Sequence, residues 1–464
     1  MTKGDVKRIM IAAAGSGSGK TVITCGLLKI LKDRGYDPLS FKCGPDYIDP
    51  MFHRTVLGID SRNLDTYLAG EEGVVKTLES AAGRYAVVEG VMGVYDGMSP
   101  DSLSGSCYEI ARITDTPVIL VVNASGTGRT VISLIKGILS DDTSKLIKGL
   151  ILNRISDTFY EKLEPVLADE LSRLGSDVRI LGAIPKTDVI NLESRHLGLK
   201  LPGETDDLYS QIAAFAKIME DKIDIDGLIN VMDRSGSGER VFPLPSASPV
   251  CACSGSRTLA VARDEAFCFY YPENIDFLAQ LGMKIICFSP IHDAKIPESA
   301  DAVLLGGGYP ELWLQELSQN VSMLESVRSA IENGMPSIAE CGGFMYLHNV
   351  IADRDGKEYA MVGAIDGKCT YTGHLVNFGY VKITGIPGTK NNDHCAAPVG
   401  MRGHEFHYYD STCNGQDALL CKPSTGREYR GMIVTPTRLW GWPHLYYPSV
   451  EERTQFFTSQ PGLL

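Results

Sequence analysis

The sequence predicts a two-domain α/β protein whose first domain is built on a mostly parallel, doubly wound sheet. An apolar run at 9–13 leads into a glycine-rich loop and a helix-like segment, and strands then alternate with helix-length segments. This alternation of strands and helices stops in a stretch rich in Gly, Ser and Pro and resumes after it. The 464 residues are too many for one ordinary hydrophobic core. We therefore expect a first domain at 1–232, a linker at 233–256 and a second domain at 257–464.

Composition argues against several classes of protein. Hydrophobic residues make up 44% of the chain, and no apolar run approaches the ~20 residues of a membrane span. The formal net charge of −13 argues against a nucleic-acid surface, which needs clustered Lys and Arg. Twelve cysteines occur without a repeated C-x-x-C pair, and the N-terminus lacks the features of a signal peptide. We expect a cytoplasmic protein with no membrane or nucleic-acid partner.

The first motif is a phosphate-binding loop, AGSGSGKT at residues 14–21. Its glycines let backbone N–H groups turn towards phosphate oxygens, Lys20 adds a positive charge, and the Thr21 hydroxyl can ligate the Mg²⁺ that accompanies ATP. Ala14 replaces the first glycine of the usual pattern and is a tolerated small residue. A plain Gly/Ser-rich turn is the alternative, but the order of strand, loop and helix favours nucleotide binding. The predicted nucleotide-binding residues are Gly15, Gly17, Gly19, Lys20 and Thr21.

Acidic residues follow two of the next predicted strands. Turn-forming Gly and Pro residues flank Asp46 and Asp49, which could coordinate Mg²⁺, orient a substrate or simply cap a helix. An apolar strand ends in Glu89, which makes this carboxylate a candidate for the Mg²⁺ site. A glycine-rich loop follows and carries Asp96, placed to lie beside the phosphates.

Further strands are predicted at 117–123, 150–153 and 178–184. Helix-length segments separate them, which is the pattern of βα units in a parallel sheet. Asn123 and Asn153 end two of these strands at the edge where such sheets bind ligands. We expect them to contact the nucleotide base or the substrate.

The second domain contains a candidate nucleophile. One strand ends in the loop Gly306–Gly308, whose exposed N–H groups could stabilise an oxyanion. A later strand runs directly into Cys341, two glycines allow a sharp turn, and an apolar helix follows. This is the construction of a nucleophile elbow with sulfur in place of the serine oxygen, and a helix N-terminus favours the thiolate. Most cysteines in α/β domains are inert core thiols, and this context sets Cys341 apart.

A cysteine nucleophile needs a base, and the C-terminal part offers several histidines. They are His374, His394, His404, His407 and His444. The sequence gives no distances between them, so the residues alone divide the base role between His404 and His444.

Six ordered segments resemble the cobyrinic acid a,c-diamide synthase family. They are GSGSGKT, KCGPDYIDPMFH, VVEGVMGVYDG, LLGGGYPE, AECGGFMYL and RGHEFHYY, and they span nearly the whole chain. The resemblance implies an N-terminal P-loop domain similar to dethiobiotin synthetase and a C-terminal class I glutamine amidotransferase-like α/β domain of the cobyric-acid-synthase branch. That branch lacks the usual H-x-E glutamate, and here His444 is followed by Leu445 and Tyr446. The resemblance therefore assigns the base to His444.

The resemblance also implies an activity and its substrates. Glutamine would be hydrolysed at Cys341 through a thioester, with the backbone amides of Gly307 and Gly343 as oxyanion donors. The ammonia would pass to the first domain, where ATP activates the a and c acetate groups of a tetrapyrrole polycarboxylate, cobyrinate, as acyl phosphates.

In the first domain the resemblance assigns roles to several charged residues. Lys20 would stabilise the transferring phosphoryl group, and Thr21 and Glu89 would hold Mg²⁺. Three acids match positions that handle the corrin carboxylates or ammonia, namely Asp46, Asp49 and Asp96.

Two other functions stay open at this point. A closely similar enzyme amidates nickel sirohydrochlorin, and one sequence does not separate the two tetrapyrroles. A P-loop ATPase that positions cellular cargo is a non-enzymatic alternative, but it leaves Cys341 and the second domain unexplained. The oligomeric state is also open, with a homodimer as one expectation.

Overall fold

The structure is a computed structural model that describes residues 6–190, 194–195, 198–199, 208–235, 257–385 and 399–449. The chain forms two compact units, residues 1–242 and 243–464. The division between them falls inside the predicted linker, and a helix extends to Arg234, two residues into that segment. The rest of the predicted linker, residues 236–256, lies outside the described part.

The first unit alternates strands and helices. Its strands are β1 (Lys7–Ala13), β2 (Pro38–Cys43), β3 (Ser61–Leu64), β4 (Tyr85–Glu89), β5 (Val118–Asn123), β6 (Ile147–Asn153), β7 (Arg179–Ile184), β8 (Ser194–Arg195) and β9 (Gly198–Leu199). Its helices are α1 (Lys20–Asp33), α2 (Ile48–Leu57), α3 (Thr66–Glu79), α4 (Cys107–Thr114), α5 (Thr130–Asp141), α6 (Asp157–Arg173), α7 (Leu208–Lys222) and α8 (Ile225–Arg234).

Seven of these strands form one parallel sheet in the order β3-β2-β4-β1-β5-β6-β7. Side chains of β1 alternate between two cores, with Ile9 and Ile11 on one face and Met10 and Ala12 on the other. Both faces are covered, which is why the central strands are predominantly apolar. The predicted doubly wound fold is therefore confirmed. The strand predicted at 150–153 begins earlier, at Ile147.

The second unit is richer in short strands. They are β10 (Thr258–Ala262), β11 (Phe267–Phe269), β12 (Lys284–Phe288), β13 (Ala302–Leu305), β14 (Gly307–Gly308), β15 (Ser337–Glu340), β16 (His348–Ala352), β17 (Glu358–Ala360), β18 (Ile365–Tyr371), β19 (Asn377–Gly385), β20 (Arg402–His407), β21 (Tyr409–Ser411), β22 (Ala418–Cys421), β23 (Glu428–Gly431), β24 (Ile433–Thr435), β25 (Arg438–Gly441) and β26 (His444–Tyr446). The helices are α9 (Pro272–Gln280), α10 (Leu314–Gln319), α11 (Val321–Glu332) and α12 (Gly342–Tyr346), with 3₁₀ turns at Pro310–Leu312 and Tyr447–Ser449.

A six-stranded sheet with the order β12-β10-β13-β15-β25-β24 organises this unit. All its pairings are parallel except that of β24 with β25. A five-stranded sheet, β23-β22-β19-β20-β26, shares a hydrophobic core with one of its faces. A second core, on the other face, contains the residues that follow β15. In the described residues of both units, the helices are too short or too polar to cross a lipid bilayer.

Candidate active sites

The phosphate loop joins β1 to α1 as predicted. Gly17 and Gly19 have φ angles of 72° and 95°, which only glycine adopts without strain. A Cβ atom on Gly19 would lie 2.3 Å from the amide nitrogen of Asn153, and this amide donates to the Ser18 carbonyl at 2.8 Å. Asn153 therefore supports the loop from β6, a role the sequence did not reveal.

Lys20 lies at the start of α1 and reaches back over the loop. Its ammonium donates to the carbonyl oxygens of Gly15 at 3.2 Å and Met92 at 2.6 Å. Burial and the nearby Lys42 lower the pKa of Lys20. The ammonium is thus held next to the loop that follows Glu89, where a phosphate group can replace the two carbonyl oxygens.

Glu89 is the centre of a buried polar cluster in the first unit. It is fully buried at the end of β4, and the Thr21 hydroxyl donates to its Oε1 at 2.5 Å. Lys42 Nζ donates to the same oxygen at 2.8 Å and lies 2.5 Å from Asp49 Oδ2. The structure thus brings Thr21 and Glu89 together as predicted.

Lys42 is a member of this cluster that sequence reasoning missed. It is the penultimate residue of β2, is 4% exposed, and lies opposite Glu89 in the β2–β4 pairing. A buried ammonium is costly unless it is paired, and two carboxylates pair with it. A lysine near the end of an apolar strand was the available signal, but its partner depends on the order of strands in the sheet.

The cluster can be tested for its fit to Mg²⁺. Glu89 Oε2 has no hydrogen-bond partner among the described residues, and His53 Nε2 lies 3.5 Å away. Burial lowers the pKa of His53 to about 4, which leaves its ring neutral. One carboxylate and one hydroxyl suit Mg²⁺, which prefers oxygen ligands and takes the others from phosphates and water. The described residues contain no closed site of three or more His, Cys, Asp or Glu ligands.

The three other predicted acids differ in their contacts. Asp46 Oδ1 accepts the backbone N–H groups of Ile48 at 2.8 Å and Asp49 at 3.2 Å, which is the capping arrangement. Asp96 Oδ2 accepts the N–H of Gly93 at 2.7 Å within the loop after β4. Asp49 instead forms an ion pair with Lys42. Burial, together with the charge of Asp49, raises the pKa of Asp46 to about 6.

Cys341 forms the predicted elbow in the second unit. It joins β15 to α12 with φ 47° and ψ −103°, a strained backbone that only a sharp turn of this kind requires. Its N–H donates to the Gly441 carbonyl at 2.9 Å, so the turn is fixed against β25. The expectation that the thiolate is favoured is wrong for this state. Burial raises the pKa of Cys341, the charge of Glu311 raises it further, and the Gly342 N–H acts in the opposite direction.

His444 lies against the glycine loop that was predicted to bind an oxyanion. A Cβ atom on Gly307 would lie 2.1 Å from His444 Cε1. The same loop approaches the elbow, because a Cβ atom on Gly342 would lie 3.2 Å from the Gly308 nitrogen. A side chain at Gly343 is excluded as well, since a Cβ atom added there would lie 2.1 Å from a backbone oxygen of β13. The loop, the elbow and His444 therefore form one site.

The other histidines of this region have separate environments. His404 lies directly opposite His444 in the β20–β26 pairing and packs edge-on against Phe378 and Tyr380. His407 donates from Nδ1 to the Tyr409 carbonyl at 2.7 Å, and its ring stacks on a tryptophan side chain at 4.1 Å. Burial lowers the pKa of His444 to about 3, so its ring is neutral at physiological pH.

Comparison with known proteins gives a consistent assignment for both units. Residues 9–199 match the CobQ/CobB/MinD/ParA nucleotide binding domain, and residues 258–442 match the CobB/CobQ-like glutamine amidotransferase domain. The first match implies use of ATP by the first unit.

Among the relatives are three proteins named cobyrinate a,c-diamide synthase. The one from Clostridium tetani is 38% identical over 87% of each chain. The one from Priestia megaterium is 36% identical over 98% of this chain and 97% of its own. The one from Listeria innocua serovar 6a is 36% identical over 95% of this chain and 96% of its own. At this identity and coverage the chain belongs to the cobyrinate a,c-diamide synthase family, whose members are glutamine amidotransferase ligases.

Proposed function

We propose that this protein amidates the a and c acetate groups of cobyrinate, using glutamine as nitrogen donor and ATP as the energy source, in the biosynthesis of cobalamin. Residues 1–232 form the synthetase domain, 233–256 the linker and 257–464 the glutaminase domain. One observation carries the proposal: a single chain holds both a phosphate loop and a strained cysteine elbow whose oxyanion loop lies against a neutral histidine.

Glutamine hydrolysis takes place at the elbow. Because the Cys341 thiol is protonated in its buried position, His444 accepts its proton as the sulfur attacks the carboxamide carbon. The N–H groups of Gly307 and Gly343 donate to the oxyanion of the tetrahedral intermediate. His444 returns the proton to the departing ammonia, which leaves a thioester. Water then hydrolyses the thioester to glutamate.

The second reaction takes place beside the phosphate loop. A carboxylate oxygen of cobyrinate attacks the γ-phosphorus of ATP, and ADP leaves, which gives an acyl phosphate. Ammonia attacks the carbonyl carbon and phosphate leaves, so that an amide remains. Lys20 neutralises charge on the transferring phosphoryl group. Gly15, Gly17 and Gly19 allow the backbone N–H groups to surround the phosphates.

The acidic residues divide into two groups in this proposal. Thr21 and Glu89 would hold Mg²⁺, which would supply positive charge for the ATP phosphates. Lys42 forms ion pairs with both Asp49 and Glu89. In this proposal the Lys42–Asp49 pair orients the substrate or the ammonia. Asp46 and Asp96 act on substrate through the turns that their backbone hydrogen bonds hold in place.

Mass spectrometry of the products tests the proposal. The protein is incubated with ATP, Mg²⁺ and glutamine and with either cobyrinate or nickel sirohydrochlorin. We expect two successive acid-to-amide exchanges on cobyrinate with glutamate release in parallel, and strongly reduced amide formation in a Lys20→Ala control. Amidation of nickel sirohydrochlorin alone would identify that compound, and not cobyrinate, as the substrate. Amidation of neither compound would refute the proposal. Glutamate release also separates this enzyme from a cargo-positioning ATPase, which has no use for glutamine.

A further inference from the structure

Glu340 occupies a place between the two proposed catalytic residues of the glutamine site. It is the last residue of β15, directly before Cys341, and is 5% exposed. Strand residues alternate between faces, and here Ile338 packs in one core while Ala339 and Cys341 pack in the other. Glu340 is two residues after Ile338 and therefore lies on the same face of the strand. Its side chain extends away from the thiol and towards β26.

The carboxylate of Glu340 holds the strand that carries His444. Its Oε1 accepts the Leu445 N–H at 3.3 Å and the Tyr447 hydroxyl at 2.9 Å. Asn274 of α9 completes the arrangement, because its amide donates to the Leu445 carbonyl at 2.7 Å and accepts the Tyr447 N–H at 2.9 Å. Side chains therefore fix both backbone polar groups of Leu445, the residue directly after His444.

A carboxyl group is costly to bury at this position. The neighbouring side chains of Ile338 and Leu445 belong to a hydrophobic core, and burial raises the pKa of Glu340 to about 8. A buried charged or polar group is often no better for stability than an apolar residue of similar volume. The position two residues after His444 is Tyr446, so no carboxylate can hold the imidazole from there.

We propose that Glu340 is a positioning residue of the glutamine site, which sets His444 relative to Cys341. Glu340 is bonded covalently to Cys341 through the backbone. It is hydrogen-bonded to Leu445 in β26, the strand that carries His444. This carboxylate acts on the backbone of the base rather than on its ring. The inference rests on the proposed function, because it requires that Cys341 and His444 hydrolyse glutamine.

A double-mutant cycle in the full-length protein tests the proposal. The variants are Glu340→Leu, His444→Ala and both together, with glutamate release measured at varied glutamine concentration. A displaced base costs about 10²-fold in rate, so Glu340→Leu should lower kcat by about that factor with little change in KM. In the His444→Ala background the same substitution should change kcat by less than about threefold, because the two residues act as a unit.

Two further variants separate positioning from a general role in stability. Glu340→Gln keeps an oxygen that can accept both hydrogen bonds and should recover most of the lost kcat. Tyr447→Phe removes one donor, keeps the ring, and should give an intermediate loss. Ammonia-dependent synthesis is the internal control and should stay at the wild-type rate in each variant, since it bypasses glutamine hydrolysis.

Three results would overturn the proposal. The first is a wild-type kcat in both Glu340→Leu and Tyr447→Phe. The second is an equal loss in Glu340→Leu whether or not His444 is present. The third is a kcat in Glu340→Gln that is as low as in Glu340→Leu, together with a lowered unfolding temperature of both variants. Failure of the proposed function itself looks different, because Cys341→Ala or His444→Ala would then release glutamate normally.

Discussion

A single methyl group at Gly307 should displace the proposed base of the glutamine site. The Cβ atom of a Gly307→Ala variant would lie 2.1 Å from His444 Cε1, and ordinary contact needs at least 3.4 Å, so the ring must retreat by about 1.3 Å. The φ angle of Gly307 lies outside the left-handed region, so alanine adds no backbone strain. A misplacement of about 1 Å can cost about 10²-fold in rate. We expect a loss of that size in glutamine hydrolysis.

The assay compares two nitrogen donors in the same enzyme preparation. Glutamate release and glutamine-dependent synthesis should both fall about 10²-fold, while ammonia-dependent synthesis should be unchanged. Gly385→Ala is a matched control in the same unit, because a Cβ atom there would have no atom of the described residues within 4 Å. The control should retain wild-type rates with both donors.

The reasoning would be refuted by glutamate release near the wild-type rate in Gly307→Ala. That result would mean either that His444 moves without consequence or that it is not the base. An equal loss with ammonia and with glutamine would point instead to a general disturbance of the protein. The unfolding temperature of the variant, measured by calorimetry, identifies that case.

The remaining predictions concern the nucleophile and the phosphate site. Cys341→Ser should abolish glutamine-dependent synthesis and leave ammonia-dependent synthesis, which product formation with the two donors checks directly. Lys20→Ala and Glu89→Gln should each lower synthesis by about 10²–10³ with either donor, measured at saturating ATP and Mg²⁺; normal turnover in both would contradict the site. Asp46→Asn should change little, because Asn caps a helix nearly as well as Asp. Asp49→Asn removes the ion pair with a buried lysine and should lower synthesis or stop it after one amide, while glutamate release continues; wild-type product ratios would count against its role.

Features that depend on local sequence could be predicted, and the structure bears them out. The order of strand, glycine loop, Lys20 and helix is contained in a short segment, and so is the elbow at Cys341. Both candidate sites could be predicted for this reason. Element ends shifted by a few residues, as at β6, because Lys148 interrupts the apolar run on which the strand was recognised.

Features that depend on strand order could not be read from the sequence. Lys42 reaches Glu89 only because β2 and β4 are neighbours in the sheet, although β3 separates them in the chain. Glu340 and Leu445 are 105 residues apart in sequence and meet through the placement of β26. The pKa of Cys341 is another case: burial raises it, and burial depends on packing that the local sequence does not show.

The position of β1 in the middle of its sheet has a consequence for biosynthesis of the chain. Lys7 of β1 pairs with Tyr85 of β4 across 78 residues, and the other edge of β1 pairs with β5, which ends at Asn123. Long-range parallel pairing is slow, because chain entropy is lost before contacts form. A ribosome therefore completes the phosphate loop long before the strands that support it emerge. The last of these supports is Asn153 of β6, which donates to the Ser18 carbonyl, so we expect nucleotide to stabilise the nascent chain as a ligand only after residue 153 has left the exit tunnel.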